Sequence, residues 1–327
     1  MPPAVPSRPA APTVLVAVLT YRRPEDLAEL LPLLQIQARR AGQVGTTVDL
    51  LVVDNDPEAG AAELVSGFDG VRYAHEPRPG IAAARNRALD AALDQAHDVL
   101  VFIDDDERPS EGWLAALLDT FERHPSCGVV GPVVSSFTVP LDAWVSAGGF
   151  FTRRRMATGS TVTVAATNNL LLDVRSLRDA GIRFDERLGL SGGSDTLFSR
   201  SLVAAAGPLV WCDEAVVTDV VPAARSTRDW VLRRQLRSGN SWSRTALMLA
   251  DSPGARLRLR LQLTAMGAVR LAGGPASWLL GIATRSVRHR AVGAKATARG
   301  LGILMGAYGF NYVEYRRPAA VAGPRAR

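Results

Sequence analysis

Val99-Leu100-Val101-Phe102-Ile103-Asp104-Asp105-Asp106-Glu107 runs five apolar residues straight into four acids. The apolar half has the length and β-branched content of a buried strand. Four successive carboxylates at its end repel one another and call for solvent or a cation. Asp104 and Asp106 bracket one residue, so in extended chain their side chains share a face and Asp105 points to the other. Two hard oxygen ligands on one face suit Mg²⁺ or Mn²⁺, ions that favour sites shared with substrate phosphates. A plainer reading of the same residues is an acidic loop leading into a helix, with Ser110 as its N-cap.

On either side of this stretch, apolar runs alternate with helical patterns. Val14–Leu19 and Asp49–Val53 read as strands, and Val71–Ala74 as a short one. Helices are expected from Pro24 to about Arg40, around 59–67, over Ile81–Ala96 and over Glu111–Arg123. Strand–helix alternation predicts an α/β fold with a Rossmann-like, mostly parallel, doubly wound sheet. Ligands of such sheets bind beyond the carboxyl ends of the strands. Thr20-Tyr21-Arg22, Asp54-Asn55-Asp56 and Asp104-Asp105-Asp106 all follow strands, so they should meet at one edge. Neither Gly-x-Gly-x-x-Gly after the first strand nor Gly-Lys-Ser/Thr occurs, which disfavours a dinucleotide dehydrogenase or a P-loop enzyme.

Further on, Val129–Val134 is strand-like but broken by Gly131-Pro132, and Thr161–Ala166 leads through Asn168-Asn169 into Leu170–Leu172. Gly192-Gly193-Ser194-Asp195 precedes a helical stretch ending near Ala206, and Val216–Val221 is another apolar run.

At 327 residues and 47% hydrophobic, the chain can bury a sizeable core. Cys127 and Cys212 stand far apart and outside any Cys/His cluster, which argues against zinc and disulfides and fits a reducing cytosol. Residues 1–12 read as a disordered Pro/Ala-rich tail, not a signal peptide.

The net charge of +6 hides a division: −9 over residues 1–230 and +15 over 231–327. The basic part carries no RNA- or DNA-binding motif, so no nucleic-acid partner is expected. An anionic membrane surface or an anionic lipid-linked substrate accounts for it better. Leu271–Thr284 and Gly300–Val313 are apolar over 14 residues each, too short to span a bilayer, and arginines flank them. They read as interfacial helices, or as a soluble subdomain packing its own apolar faces. The expected division is a catalytic domain over 13–245 and a basic amphipathic helical region over 246–327.

In order along 13–245, the segments VAVLTYRRPEDLAELL, LLVVDNDP, EPRPGIAAARNRAL, VFIDDDERPSEGWL, ATNNLLL, FDERLGLSGGSDTLFSR and VVPAARSTRDWVLRRQLRSGN resemble family 2 glycosyltransferases of the GT-A fold. The likeness is to the succinoglycan-biosynthesis type of bacterial glucosyltransferase in particular. It implies inverting transfer of a hexose from a nucleotide-sugar, UDP-glucose by default, to a saccharide acceptor; the basic tail fits an acceptor that is lipid-linked at the inner face of the cell membrane. By the same resemblance Thr20, Tyr21, Arg22, Asp54 and Arg85 bind the nucleotide. Asp104 and Asp105 belong to the donor site, and Asp106 with Asp104 holds Mg²⁺ or Mn²⁺. Asp195 is the general base. Asn168 and Asn169 reach acceptor or donor hydroxyls or serve a turn, and Arg234 and Arg237 face the diphosphate or form a basic helix face. The family pattern has Glu-Asp where this chain has Ser194-Asp195, which puts acceptor identity in question.

Two other classes share parts of this pattern. A haloacid dehalogenase-type phosphatase also sets Asp-x-Asp after a strand. It needs Thr or Val two places beyond the second Asp, where this chain has Arg108, and a downstream lysine, whereas Lys295 is the only lysine. A non-catalytic or altered-acceptor GT-A homologue is the reading that Ser194 motivates.

Overall fold

The computed structural model describes residues 12–312. The expected N-terminal tail lies outside the described residues except for Pro12, as does everything after Tyr312.

Strands β1 (Thr13–Thr20), β2 (Thr47–Asp54), β3 (Val71–His75) and β4 (Val99–Asp104) form where the apolar runs predict them. They lie side by side in the order β3-β2-β1-β4, all parallel. Helices α1 (Pro24–Gln43), α2 (Ala62–Ser66) and α3 (Ile81–Asp94) make the crossovers. The period-2 alternation of β1 divides the core into two layers. Val14, Val16 and Val18 pack with Leu27, Leu30 and Leu34 of α1. Leu15, Ala17 and Leu19 pack with Ala84, Ala88 and Leu89 of α3. Phe102 is fully buried and meets Phe184 edge-on at 6.1 Å; truncating it to alanine would cost about 3–5 kcal/mol.

β5 (Glu107–Pro109), α4 (Trp113–Arg123), β6 (Gly128–Val130), β7 (Val133–Phe137), α5 (Ala143–Ala147), β8 (Thr161–Val162), β9 (Asn169–Asp173), α6 (Val174–Ala180), α7 (Ser194–Ala206), β10 (Leu209–Trp211) and β11 (Val217–Val221) follow. The main sheet continues β4-β9-β6-β10-β8. β9 runs antiparallel between β4 and β6, and β8 antiparallel on β10. The sheet is therefore parallel-dominated but mixed. Leu170-Leu171-Leu172 has no polar alternation because both faces are buried, and such a run looks the same in either direction. The apolar stretch 129–134 divides at Gly131-Pro132, its second half joining a separate sheet ordered β5-β11-β7. A Cβ on Gly131 would stand 2.3 Å from the Ala215 carbonyl, so only glycine admits that approach.

Helices α8 (Arg228–Met248), α9 (Pro253–Ala283) and α10 (Val287–Ala307) close the chain. The interfacial helix expected over Leu271–Thr284 is the second half of the longer α9, with Pro275 inside it. α9 and α10 form an antiparallel hairpin seamed by glycine. Gly267, Gly274 and Gly281 recur every seven residues, so they share one face of α9. A Cβ on Gly274 would lie 2.2 Å from Thr297 Oγ1, and one on Gly302 would lie 1.9 Å from the Leu236 carbonyl of α8. With the small residues inside, Leu257, Leu261, Val269, Leu279, Leu280 and Ile282 stay exposed.

Candidate active site

The carboxyl ends of β1, β2 and β4 bring the three polar clusters together. Leu19 pairs with Asp104, and Thr20 with Asp54. Thr20 Oγ1 donates to Asp105 Oδ2 at 2.8 Å, and Arg23 Nη1 donates to Asp105 Oδ1 and Asp106 Oδ2, each at 2.8 Å. Asp105 and Asp106 lie in the turn after β4, where strand alternation lapses, so one Arg23 nitrogen reaches both carboxylates and Asp105 does not point away from Asp106 as expected; Asp105 ties this turn to the loop after β1. Burial pushes its carboxyl up while Arg23 pulls it back. Burial also opposes the Arg23 charge, but Asp105 and Asp106 more than offset it and raise the guanidinium above its usual value.

Asp104, Asp106 and Glu107 form the acidic face. Asp106 Oδ2 also accepts from Arg225 Nη1 at 2.8 Å. Glu107 is buried, accepting from Asn168 Nδ2 at 2.6 Å and from the Asp104 amide at 3.3 Å, and burial followed by repulsion from Asp104 raises it well above the usual range. The Asp104 carboxylate accepts no hydrogen bond among the described residues. Burial first, then Asp106, pushes it up to about 7, against the pull of Arg85. An unpaired carboxylate held beside another is a chemical fit to a divalent cation. Among the described residues no three His, Cys, Asp or Glu side chains converge into a complete cage. The fit is therefore to an ion that Asp104 and Asp106 would share with a phosphorylated ligand.

Asp54 is fully buried at the end of β2. Its Oδ1 accepts the Asp56 amide at 2.9 Å; its Oδ2 accepts the Ala61 amide at 2.8 Å and the Tyr73 hydroxyl at 3.0 Å. That carboxylate shapes its own loop, and a base or ribose would have to displace one of these donors. Thr20 is likewise engaged by Asp105. Arg22 sits at the mouth with φ +55°, an unfavoured conformation for a side-chain-bearing residue, held by a 3.1 Å bond from its Nε to Asp56 Oδ1; its guanidinium lies 5.5 Å from the Tyr21 ring.

Arg85, the fifth residue of α3, is only 8% exposed. Its Nη1 donates to Ser194 Oγ at 2.7 Å and its guanidinium lies 5.4 Å from the Phe184 ring, while its Nε is buried without a partner. No ion pair among the described residues includes it. Gly192 and Gly193, at φ +79° and +93°, make the turn into α7. Asp195 follows in the first helical turn, partly exposed, its Oδ1 accepting the Thr196 amide at 2.8 Å. Gly193, not a side chain, occupies the N-cap position. α8 lies over this turn: a Cβ on Gly192 would contact Ser241 Oγ at 3.4 Å and Arg237 Cδ at 3.8 Å. Arg237 is thus beside Asp195's turn, whereas Arg234 packs against aromatic rings, 5.4 Å from Trp230 and 5.8 Å from Phe151.

Asn168 and Asn169 part company. Asn168 reaches the acidic face through Glu107. Asn169 is a buried brace: Trp113 Nε1 donates to its Oδ1 at 2.9 Å, and its Nδ2 donates to the Pro132 and Ala215 carbonyls at 3.0 and 2.7 Å. Arg23 and Arg225, which neutralise Asp105 and Asp106, were not singled out from the sequence. Arg23's signal was its place in the loop after β1, among residues already under suspicion. Arg225 ends a single 3-10 turn (Ala223–Arg225) nearly 120 residues from its partner, and no pattern announces the pair.

A family model for Glycosyl transferase family 2 matches residues 15–181. The chain is 35% identical over 235 residues to succinoglycan biosynthesis protein ExoM of Rhizobium meliloti (strain 1021), covering 70% of this chain and 74% of that protein. Among solved structures, mannosyltransferase PcManGT from Pyrobaculum calidifontis, in complex with GDP-Man and Mn²⁺, shares the fold with a TM-score of 0.55 at 17% identity, over 88% of this chain and 87% of that one. GalNAc-T7 with UDP, GalNAc and Mn²⁺ does so at 0.54 and 13% identity, over 74% of this chain and 49% of that one. At such identities the structural likeness speaks for the GT-A fold alone. The family match, the likeness to ExoM and the strand-end acidic site agree: this chain belongs to glycosyl transferase family 2.

Proposed function

We propose that the protein transfers a hexosyl group from a nucleotide-sugar, UDP-glucose by default, to a saccharide hydroxyl with inversion at the anomeric carbon. The observation that carries this reading is Arg85, a buried cation whose field reaches Asp104 and whose Nη1 binds the residue before Asp195. It couples the donor-binding acids to the candidate base. Mg²⁺ or Mn²⁺, when held by Asp104 and Asp106, would offset the charge growing on the leaving diphosphate. Asp195 accepts the acceptor hydroxyl's proton as that oxygen bonds to the anomeric carbon and the bond to the diphosphate breaks. Arg237, beside the turn that carries Asp195, supports the departing charge. Ser194 favours an altered acceptor as the second reading.

A nucleotide-sugar panel assayed for diphosphate release with Mn²⁺, Mg²⁺ or chelator tests the reading. Asp195→Asn should lower transfer by about 10²–10⁴-fold; unchanged transfer would remove Asp195 as the base.

The acceptor is read as lipid-linked and the protein as peripheral to an anionic membrane surface on the cytoplasmic side. The exposed apolar residues of α9, flanked by Arg256, Arg258, Arg285 and Arg288, support this. No helix among the described residues is long and apolar enough to cross a membrane. Vesicle sedimentation at low salt should be stronger with anionic than with neutral lipid; equal binding would sink the membrane assignment.

A further inference from the structure

The chain after α10 doubles back toward the turn that carries Asp195. One side chain of α8 pins it there: the fully buried Asn240 donates from Nδ2 to the Phe310 carbonyl at 2.8 Å, and its Oδ1 accepts the Tyr312 amide at 3.3 Å. Gly306 lies against the same residue, where a Cβ would stand 2.4 Å from the Asn240 carbonyl oxygen. Between the two pinned residues is Asn311, whose Oδ1 accepts from Arg244 Nη1. The same Arg244 nitrogen donates to Ser191 Oγ at 3.1 Å.

Ser191 is buried and opens the sequence Ser191-Gly192-Gly193-Ser194-Asp195. Two successive glycines give this turn little stiffness of its own, and no side chain caps α7. It is held from outside by α8. Ser241, Arg244 and Thr245 share one helical face, spaced by three and four residues. Ser241 Oγ donates to the Ser191 carbonyl at 3.5 Å, and a Cβ on Gly193 would stand 3.0 Å from Thr245 Cγ2. Arg244 is in no ion pair among the described residues, and burial lowers its guanidinium from the usual value. A part-buried charge without a counter-charge is costly, so its bonds to Ser191 and Asn311 are what compensate it.

We propose that Arg244 and residues 310–312 form a clasp that positions Asp195; the inference rests on the transferase reading. The end of the chain holds Arg244, and Arg244 holds the turn from which Asp195 meets the acceptor hydroxyl. Arg244 is thus a positioning residue that acts through Asp195, and the C-terminal helical region supports the reacting centre through it.

Hydrogen–deuterium exchange and UDP release from UDP-glucose with Mn²⁺, both on the full chain, test this. In Arg244→Met and in Asn311→Ala the amides of residues 191–196 should exchange about tenfold faster, on the scale of one hydrogen bond, while those of β1 and β4 stay protected. In both variants kcat should fall about tenfold with KM for UDP-glucose unchanged. Arg244→Lys should recover most of the loss, because a single nitrogen makes both contacts. Arg244→Met combined with Asn311→Ala should be no slower than Arg244→Met alone, and Arg244→Met should add nothing in an Asp195→Asn background. Thermal melting identifies any variant that fails to fold, and the exposed Asn311→Ala then decides. Unchanged exchange over 191–196, unchanged kcat in a folded variant, or a further tenfold loss in the Asp195→Asn background overturns the clasp. Absence of diphosphate release by the wild-type protein across the donor panel fails the transferase reading instead, and exchange alone then judges the clasp.

Discussion

Arg85 Nη1 and Ser194 Oγ are 2.7 Å apart, and the residue following Ser194 is Asp195. A hydroxyl at this position leaves the Arg85 charge intact, where a carboxylate would neutralise it. The buried guanidinium thus stays available to an anion entering the site. Arg85→Ala should lower kcat/KM for the donor by about 10–100-fold, the worth of one hydrogen bond to a charged group. Arg85→Lys should recover little, because an ammonium cannot both pack on Phe184 and reach Ser194. Steady-state kinetics with donor varied, beside circular dichroism to confirm folding, checks both.

Asp104 and Asp105 should behave oppositely although they are adjacent. Asp105→Ala takes the acceptor from Thr20 Oγ1 and one of two carboxylates from the part-exposed Arg23, which keeps Asp106, and should cost about 1–3 kcal/mol. Asp104→Asn removes like-charge repulsion from a carboxylate that no donor satisfies, so its melting temperature should hold or rise while transfer is lost. Calorimetry and an activity assay on the two variants separate the roles.

The glycine seam makes a steric prediction. Gly274→Val and Gly302→Val place carbon against Thr297 Oγ1 and the Leu236 carbonyl, and should destabilise the helical hairpin by about 1–3 kcal/mol or more. Gly273, beside the seam on the same helix, meets nothing within 4 Å, so Gly273→Ala should be neutral or mildly stabilising. Chemical denaturation of the three variants reads the difference.

Burial and the hydrogen bond to Asp54 push the Tyr73 hydroxyl up to about 12 from its usual 10.0. The folded protein then holds this proton more tightly than the unfolded chain does. Its contribution to stability is complete below pH 10 and is lost as pH rises toward 12. Tyr73→Phe should flatten the alkaline fall in stability over that window, and ultraviolet titration of the native protein should lose its highest-pH tyrosine step.

Both thiols should be silent in the folded state. Cys127 and Cys212 are buried, and burial raises them, Cys127 to about 12. A thiol-reactive dye should label neither in native buffer and both after denaturation.

The strand ends are legible because period, length and polarity all change at the same residues: β4 ends on Asp104, the first acid after the apolar run. The meeting of three such ends followed from parallel topology alone. What stayed hidden was pairing across distance. Asp54 and Asn169 carry the right chemistry for ligands, yet their hydrogen bonds are filled by chain up to 56 residues away, and composition holds no trace of that. Thr161–Ala166 has strand propensity, but only Thr161 and Val162 find a partner, on β10, because tertiary pairing overrides local preference. The glycines of α9 and α10 lower helix propensity, and their worth is visible only once the two backbones touch.

Since α9 and α10 meet through a glycine seam with Leu263 and Ile303 buried beside it, the packing of the hairpin places almost no demand on the exposed Leu261, Val269, Leu279, Leu280 or Ile282. Those positions can be recoded without disturbing the sheet that carries the chemistry. The outer face of the hairpin and the acidic strand ends can therefore vary in sequence independently, neither constraining the other.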